Sequence, residues 1–409
     1  MEGNTILITE NVMKMLSIII FTGILCIKLS NKVRLPDVVL FIIAGVVLGP
    51  QMLNVVNFEN YLVANQLILT FGAAYILYDG GQEVELKILN KVKVSVILLA
   101  TLGVTVAAFI IGFSASKILN IDFIYALLLG SVIVSTDPSV LVPLFKNLAI
   151  SNKLKQTIIA ESAFNDAAAA IMTFSIIAII AGGKFSLGAS ILELLIKAGG
   201  GIIAGFIIGY VATYLVSEKK HGILSGFTGE ISIAAVLGAY IFAEHFHFSG
   251  FMAVFIVGII CGNKKVFNLS INKNHHDIHI SFKAVLITIL RIMIFVLLGT
   301  QMNFTILAQY WLKATIIVII LMFVARPACV LVSVFFDKKA KWNYKEIIYL
   351  MWTKETGVIP AALAGMLISM KIPNAELISA VTFMAIIITL VLQASTAGFL
   401  ARKLNLDVK

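Results

Sequence analysis

The chain has 409 residues, of which 60% are hydrophobic and 13% charged, with a mean hydropathy of +1.02. A soluble globule carries about 45–50% apolar residues, so the composition excludes one and implies a polytopic membrane protein. The formal charge of +10 would suit a nucleic-acid binder, but cytoplasmic loops also collect Lys and Arg, so the placement of the charges decides.

The start of the chain is acidic and weakly charged, and no small-residue cleavage site ends the first apolar run, so the first helix is expected to stay. Windows of about 20 apolar residues, the length that crosses roughly 30 Å of hydrocarbon, predict thirteen helices. They run at about 11–28, 36–51, 62–80, 94–116, 123–144, 157–181, 188–216, 228–245, 248–262, 283–300, 306–336, 345–370 and 374–400. The fold class is therefore all-α. Cys26, Cys261 and Cys329 stand singly in apolar runs, without disulfide or zinc spacing, and read as small core hydrophobes.

Every second loop is basic: Lys28, Lys32 and Arg34; Lys87, Lys91 and Lys93; Lys146, Lys153 and Lys155; Lys219 and Lys220; Lys264, Lys265, Lys273 and Lys283; Lys338, Lys339, Lys341 and Lys345; then Arg402, Lys403 and Lys409. The intervening loops hold little more than Lys117, Lys184 or Lys371. This alternation places the N-terminus outside and the C-terminus in the cytoplasm of a cell-membrane protein. The basic excess is thereby a topology signal, and nucleic acid loses its support as a partner; the lipid bilayer takes its place.

An odd number of spans lets helices one to six (about 11–181) and eight to thirteen (about 228–400) enter from opposite sides, with helix seven (about 188–216) as connector. The fifth helix of each half is interrupted. One carries Ser135-Thr136-Asp137-Pro138 in mid-membrane, the other Thr353-Lys354-Glu355-Thr356-Gly357 followed by Pro360. Proline removes an amide and displaces the preceding turn, so each segment reads as a broken helix whose half-helix dipoles point at a midplane site. No Gly/Ser linker, nucleotide fingerprint or soluble regulatory domain is expected.

The chemistry concentrates in Glu161-Ser162-Ala163-Phe164-Asn165-Asp166, polar residues opening an otherwise apolar helix. Ser162 and Asp166 share one face at i,i+4, with Glu161 and Asn165 on the adjacent one. A charge at the bilayer centre costs roughly 2.5–3.5 kcal/mol, so this side must line protein or a polar cavity. A carboxylate there can hold either a proton or a small cation, because burial favours the proton and a cation displaces it. Ser162, Thr136 and Asn165 supply the oxygens that hard monovalent cations prefer.

Here the sequence resembles a family. "GSVIVSTDPSVLVPLFKN" and "ESAFNDAAAA", with "LPDVVLFIIAGVVLGP", "LYDGGQEVELKILNK", "AEHFHFSGFMAVFIVGIICG" and "FVLLGTQMN" in order along almost the whole chain, are similar to the monovalent cation/proton antiporters, in particular the electroneutral sodium/proton exchangers. The resemblance implies that Asp166 binds cation and proton in turn, that Glu161, Ser162 and Thr136 complete a Na⁺ site, and that Asn165 marks the electroneutral branch. It further implies a 1:1 exchange by alternating access, a homodimer, and no cofactor beyond the transported ions; Li⁺ is a further candidate cargo.

Asp137 is expected to cap freed amides at the break, and Lys354 and Glu355 to compensate charge there, with Lys354 neutralising a half-helix C-terminus or pairing with Glu161. The family pattern shows an arginine-glycine pair in the twelfth helix, whereas Thr356 precedes Gly357 here. Asp79 and Arg326 are expected to form an interhelical ion pair, and Arg291 to reach the interface. His275, His276 and His279 read as a solvated loop rather than a pH sensor or metal site. The closest rival function is potassium/proton exchange. A cation channel would conduct without proton exchange, and an intramembrane aspartyl protease, suggested by Tyr78-Asp79, would need a Gly-x-Gly-Asp partner that the chain lacks.

Overall fold

The computed structural model describes residues 2–33, 36–137, 148, 150–182, 187–218 and 222–407. These are helical almost throughout, with no strand among them. In chain order the helices are α1 (Glu2–Val33), α2 (Asp37–Leu48), α3 (Leu62–Glu83), α4 (Leu86–Leu98), α5 (Val104–Leu119), α6 (Phe123–Ile133), α7 (Asn152–Ile180), α8 (Leu187–Leu215), α9 (Thr228–His245), α10 (Gly250–Gly262), α11 (Lys273–Thr300), α12 (Phe304–Ile320), α13 (Arg326–Phe335), α14 (Tyr344–Trp352), α15 (Val358–Ser369), α16 (Ala375–Thr389) and α17 (Ser395–Lys403). Single π-turns at Leu99–Gly103, Leu321–Ala325 and Leu390–Ala394 join α4 to α5, α12 to α13 and α16 to α17 into continuous rods.

Eight of these runs are long and apolar enough to cross a bilayer. The described part of each of the thirteen predicted windows is mainly helical, but length and apolarity do not by themselves give thirteen crossings. Asp37–Leu48, Phe123–Ile133, Gly250–Gly262 and the interrupted pair α14 and α15 are each too short to span about 30 Å alone at 1.5 Å per residue. For the fifth window the second half, with Pro138, lies outside the described residues, as do Arg34, Lys146, Lys184, Lys219, Lys220 and Lys409 of the loops. The tenth window is corrected: α11 starts at Lys273, ten residues earlier than 283, so His275 and His279 are helical rather than in a loop, and His279 is buried.

Two close helix crossings organise the centre. On α3 and α10 a Cβ at Gly81 would stand 3.1 Å from the Cα of Gly258, and on α2 and α11 one at Gly45 would stand 2.9 Å from the Cα of Gly299. With no side chain between them the backbones come into contact, an arrangement open only to small residues. A third close approach joins α5 to α13, where a Cβ on Gly103 would meet Cys329 Sγ at 2.5 Å. Both of the rods meeting there carry a π-turn. In the second, Pro327 has no amide to bond Phe323, and the ladder shifts register just before it.

Candidate functional site

The site forms where two interruptions cross beside α7. Helix α6 ends at Ile133, and Ser135 to Asp137 run on without helical hydrogen bonds. Opposite, α14 ends at Trp352 and α15 begins at Val358, leaving Thr353 to Gly357 unwound. The backbones join where Asp137 N–H donates to the Glu355 carbonyl at 2.8 Å. Gly357 is required at this point, because a Cβ there would overlap the Asp137 carboxyl group.

Each exposed half-helix end is met by the charge its dipole calls for. Lys354 Nζ donates to the Val134 carbonyl and, at 3.2 Å, to that of Ser135, closing the C-terminus of α6. Arg326 donates from Nε and Nη2 to the Leu350 carbonyl at 3.0 and 2.7 Å and from Nη2 to the Thr353 carbonyl at 3.3 Å, closing the C-terminus of α14. At the N-terminus of α15, Val358 N–H donates to Asp137 Oδ2 at 3.1 Å. Asp137 and Lys354, singled out from the letters for these breaks, thus contact the N-terminus of α15 and the C-terminus of α6. Lys354 reaches the α6 carbonyls rather than Glu161.

Helix α7 brings the acids to this crossing, its own start fixed by Ser151, whose hydroxyl accepts from Leu154 N–H. Glu161 is buried and holds Arg326 in a two-pronged pair, Nη1 to Oε1 and Nη2 to Oε2 at 3.0 Å, while Asn165 Nδ2 donates to Oε1 at 3.2 Å. The expectation that Asp79 pairs with Arg326 is therefore corrected. Arg326 directly follows a π-turn and extends between α7 and α14, whereas Asp79, near the end of α3, pairs with Lys283 of α11 at 2.5 Å. Arg291 meets Asp37 at 3.4 Å.

One turn on, Asp166 is half-buried, and among the described residues it meets no Lys or Arg at ion-pair distance. Its hydrogen bond comes from the Ser135 hydroxyl to Oδ1. Ser162 Oγ donates to the Thr136 carbonyl at 2.5 Å, tying α7 to the unwound segment. Asp166, Ser162 and Thr136 are thus brought together. Glu161 would have to release Arg326 to act as a direct ligand. Ser135 did not stand out from the letters, although an extended segment sends successive side chains to opposite sides and so offers Ser135 whenever Thr136 presents its carbonyl. Glu355 is buried, and among the described residues its Oε1 has no hydrogen-bond partner.

The face of α7 around the acids is otherwise apolar. Ala160, Ala163, Ala167 and Ile171 pack with Val84, Met252, Phe255 and Ile259, and the Phe164 ring stands edge-on to Phe255 at 4.8 Å. A half-buried carboxylate flanked by hydroxyl and carbonyl oxygens, inside an apolar collar, can hold one small cation or one proton.

Comparison with known proteins agrees with this chemistry. The family model described as sodium/hydrogen exchanger, transmembrane, matches residues 16–403. The chain is 31% identical to the probable Na(+)/H(+) antiporter 2 of Methanocaldococcus jannaschii, over 94% of this chain and 95% of that protein. It is 27% identical to the K(+)/H(+) antiporter NhaP of Alkalimonas amylolytica, over 96% of this chain and 67% of the relative. Among solved structures, that of the sodium proton antiporter MjNhaP1 from Methanocaldococcus jannaschii at pH 8 superposes with a TM-score of 0.83 at 25% identity, covering 96% of this chain and 99% of the other.

Proposed function

We propose, for a chain that belongs to the sodium/hydrogen exchanger family, an electroneutral antiport of one monovalent cation for one proton, with Na⁺ the favoured cargo and Asp166 the group that carries either in turn. The observation that carries this reading is the isolation of Asp166. Its neighbours Glu161, Lys354 and Arg326 are matched to one another or to helix ends, so gaining or losing a single positive charge at Asp166 leaves the rest of the crossing undisturbed. In the cation-bound form Asp166, Ser162 and Thr136 supply oxygens; Glu161, clamped by Arg326, orients Asn165 behind them. Asp137, Lys354 and Glu355 hold the crossing together. Because one carboxylate cannot hold both cargoes, occupancy by one requires departure of the other, which couples the two fluxes.

The halves at about 11–181 and 228–400, with a connector at about 188–216, act as inverted repeats and expose Asp166 to each side alternately. The paired glycine crossings, the end of α6 at Ile133 and the unwound residues 353–357 support this. The protein sits in the cell membrane with its N-terminus outside and its C-terminus in the cytoplasm, and works as a homodimer.

The test is transport in proteoliposomes, with an internal pH dye and sodium, lithium or potassium added in turn. Sodium-driven proton flux that Asp166→Asn abolishes, in protein that still purifies folded, is the expected result. Flux retained by that variant refutes the role of Asp166. Preference for potassium, the cargo named for the Alkalimonas relative, would move the chain to the other cation while keeping the mechanism.

A further inference from the structure

A cavity of about 490 Å³ opens at the Lys-rich end of the bundle, between α3, α4, α8, α9, α10 and α11. Its lining includes no residue of α6, α7, α14 or α15, so it is separate from the crossing around Asp166. Lys87, Lys264, Lys265 and Lys283 stand around it from three separate stretches of chain, and among the described residues Glu85 is the sole carboxylate in its lining. The walls below the lysines are apolar, formed by Val216, Ile231 and Val266, and Tyr78 adds a phenol. This volume lies in the range of pockets that hold small molecules, about 300–1,000 Å³.

Like charges brought to one concavity repel one another, and partial burial adds a cost at Lys264 and Lys283, while Lys87 and Lys265 are exposed. Glu85 offsets only part of this, and it also accepts a hydrogen bond from Gln156 Nε2 at 3.3 Å. Lys283 is shared between Asp79 Oδ1 at 2.5 Å and Gln82 Oε1 at 2.9 Å and has a third proton to give. Burial pushes the Lys264 ammonium below its usual value, with Lys265 adding to the effect. A bound dianion would relieve this excess of positive charge.

We propose that this cavity binds a phosphate-bearing anion, its phosphate among Lys87, Lys264, Lys265 and Lys283 and its apolar part against Val216, Ile231 and Val266. The same chemistry is offered by a soluble phosphate and by the headgroup of an anionic lipid. Occupancy has a path to the transport helix. Asp79, partner of Lys283, adjoins Gly80, where a Cβ would stand 3.5 Å from that of Ala163 on α7.

The full chain in detergent, unfolded by heat, tests this with three probes: inorganic phosphate, dihexanoyl phosphatidic acid and zwitterionic dihexanoyl phosphatidylcholine. A saturable rise in Tm with inorganic phosphate or phosphatidic acid, its half-saturation weakened about tenfold or more in K264Q/K265Q, is the expected result. A rise with inorganic phosphate identifies a soluble anion as the source, and a rise with phosphatidic acid alone identifies a lipid. Equal stabilisation by phosphatidylcholine, no saturable shift with either phosphate, or an undiminished shift in the variant overturns the proposal. Should K264Q/K265Q not fold, K87Q, changed at an exposed lysine, gives the same reading. None of these outcomes depends on the transport activity of Asp166.

Discussion

Removing the guanidinium of Arg326 should be among the most damaging single changes outside the transport carboxylate. Arg326 is 2% exposed and gives five hydrogen bonds, two to Glu161 and three to the carbonyls of Leu350 and Thr353. Breaking a buried ion pair from one side costs about 3–5 kcal/mol, because the other charge stays behind without compensation. A stranded, buried carbonyl at the end of α14 adds about 1–3 kcal/mol. Arg326→Met should therefore lose most of the stability of a typical domain, about 5–15 kcal/mol in total. Glu161→Gln alone should cost less, since the three carbonyl bonds remain. In the double variant no net charge is buried, and about 2–3 kcal/mol of the summed losses should return. Unfolding by dodecyl sulfate in mixed micelles, followed by tryptophan fluorescence, gives the four free energies of the cycle. If the two losses add to within about 0.5 kcal/mol, the residues do not form a coupled buried pair and the account of the crossing fails.

Ser135→Ala removes the hydroxyl on Asp166. A hydrogen bond to a charged group is worth about 1.5–3 kcal/mol, so the apparent sodium affinity in proteoliposomes should fall about tenfold or more while the maximal rate changes less. Lys354→Met leaves the carbonyls of Val134 and Ser135 bare and should cost about 2 kcal/mol or more in the same dodecyl sulfate assay; a neutral result would remove its capping role. Gly258→Ala drives a methyl group into the α3 backbone, whereas Gly238 has nothing within 4 Å of its position on α9. The first should lose about 1–3 kcal/mol and the second gain about 0.5–1 kcal/mol, both read from thermal unfolding in detergent.

The letters carried the helices well, because apolarity over twenty residues is a local property that the bilayer itself selects. The interruptions were legible for a similar reason: Pro and Gly break a ladder wherever they stand, and Thr353 to Gly357 is unwound as read. The partner of each charge was not legible. Asp79 and Arg326 look alike as lone charges in apolar runs, and the assignment turns on a π-turn that redirects Arg326 to Glu161. The histidines failed for a different reason. Their polar neighbourhood suggests solvent, yet α11 continues through it and turns His279 inward. The cysteines are as read: Cys26 and Cys329 are buried, Cys261 is partly so, and none is in a disulfide.

The interlocking of the two interruptions limits how this protein can rearrange. Asp137 N–H on Glu355, Lys354 on the end of α6 and Asp137 on Val358 lash the segments to each other. Prising them apart would sever all three ties inside a poorly solvated interior, so neither can swing as a separate door. A seam without such ties lies where small alanines of α7 face Val84 and the apolar side chains of α10, and displacement there would exchange one greasy neighbour for another. Under the proposed alternating access the knot would travel whole, and the oxygens gathered around Asp166 would keep their arrangement through the excursion.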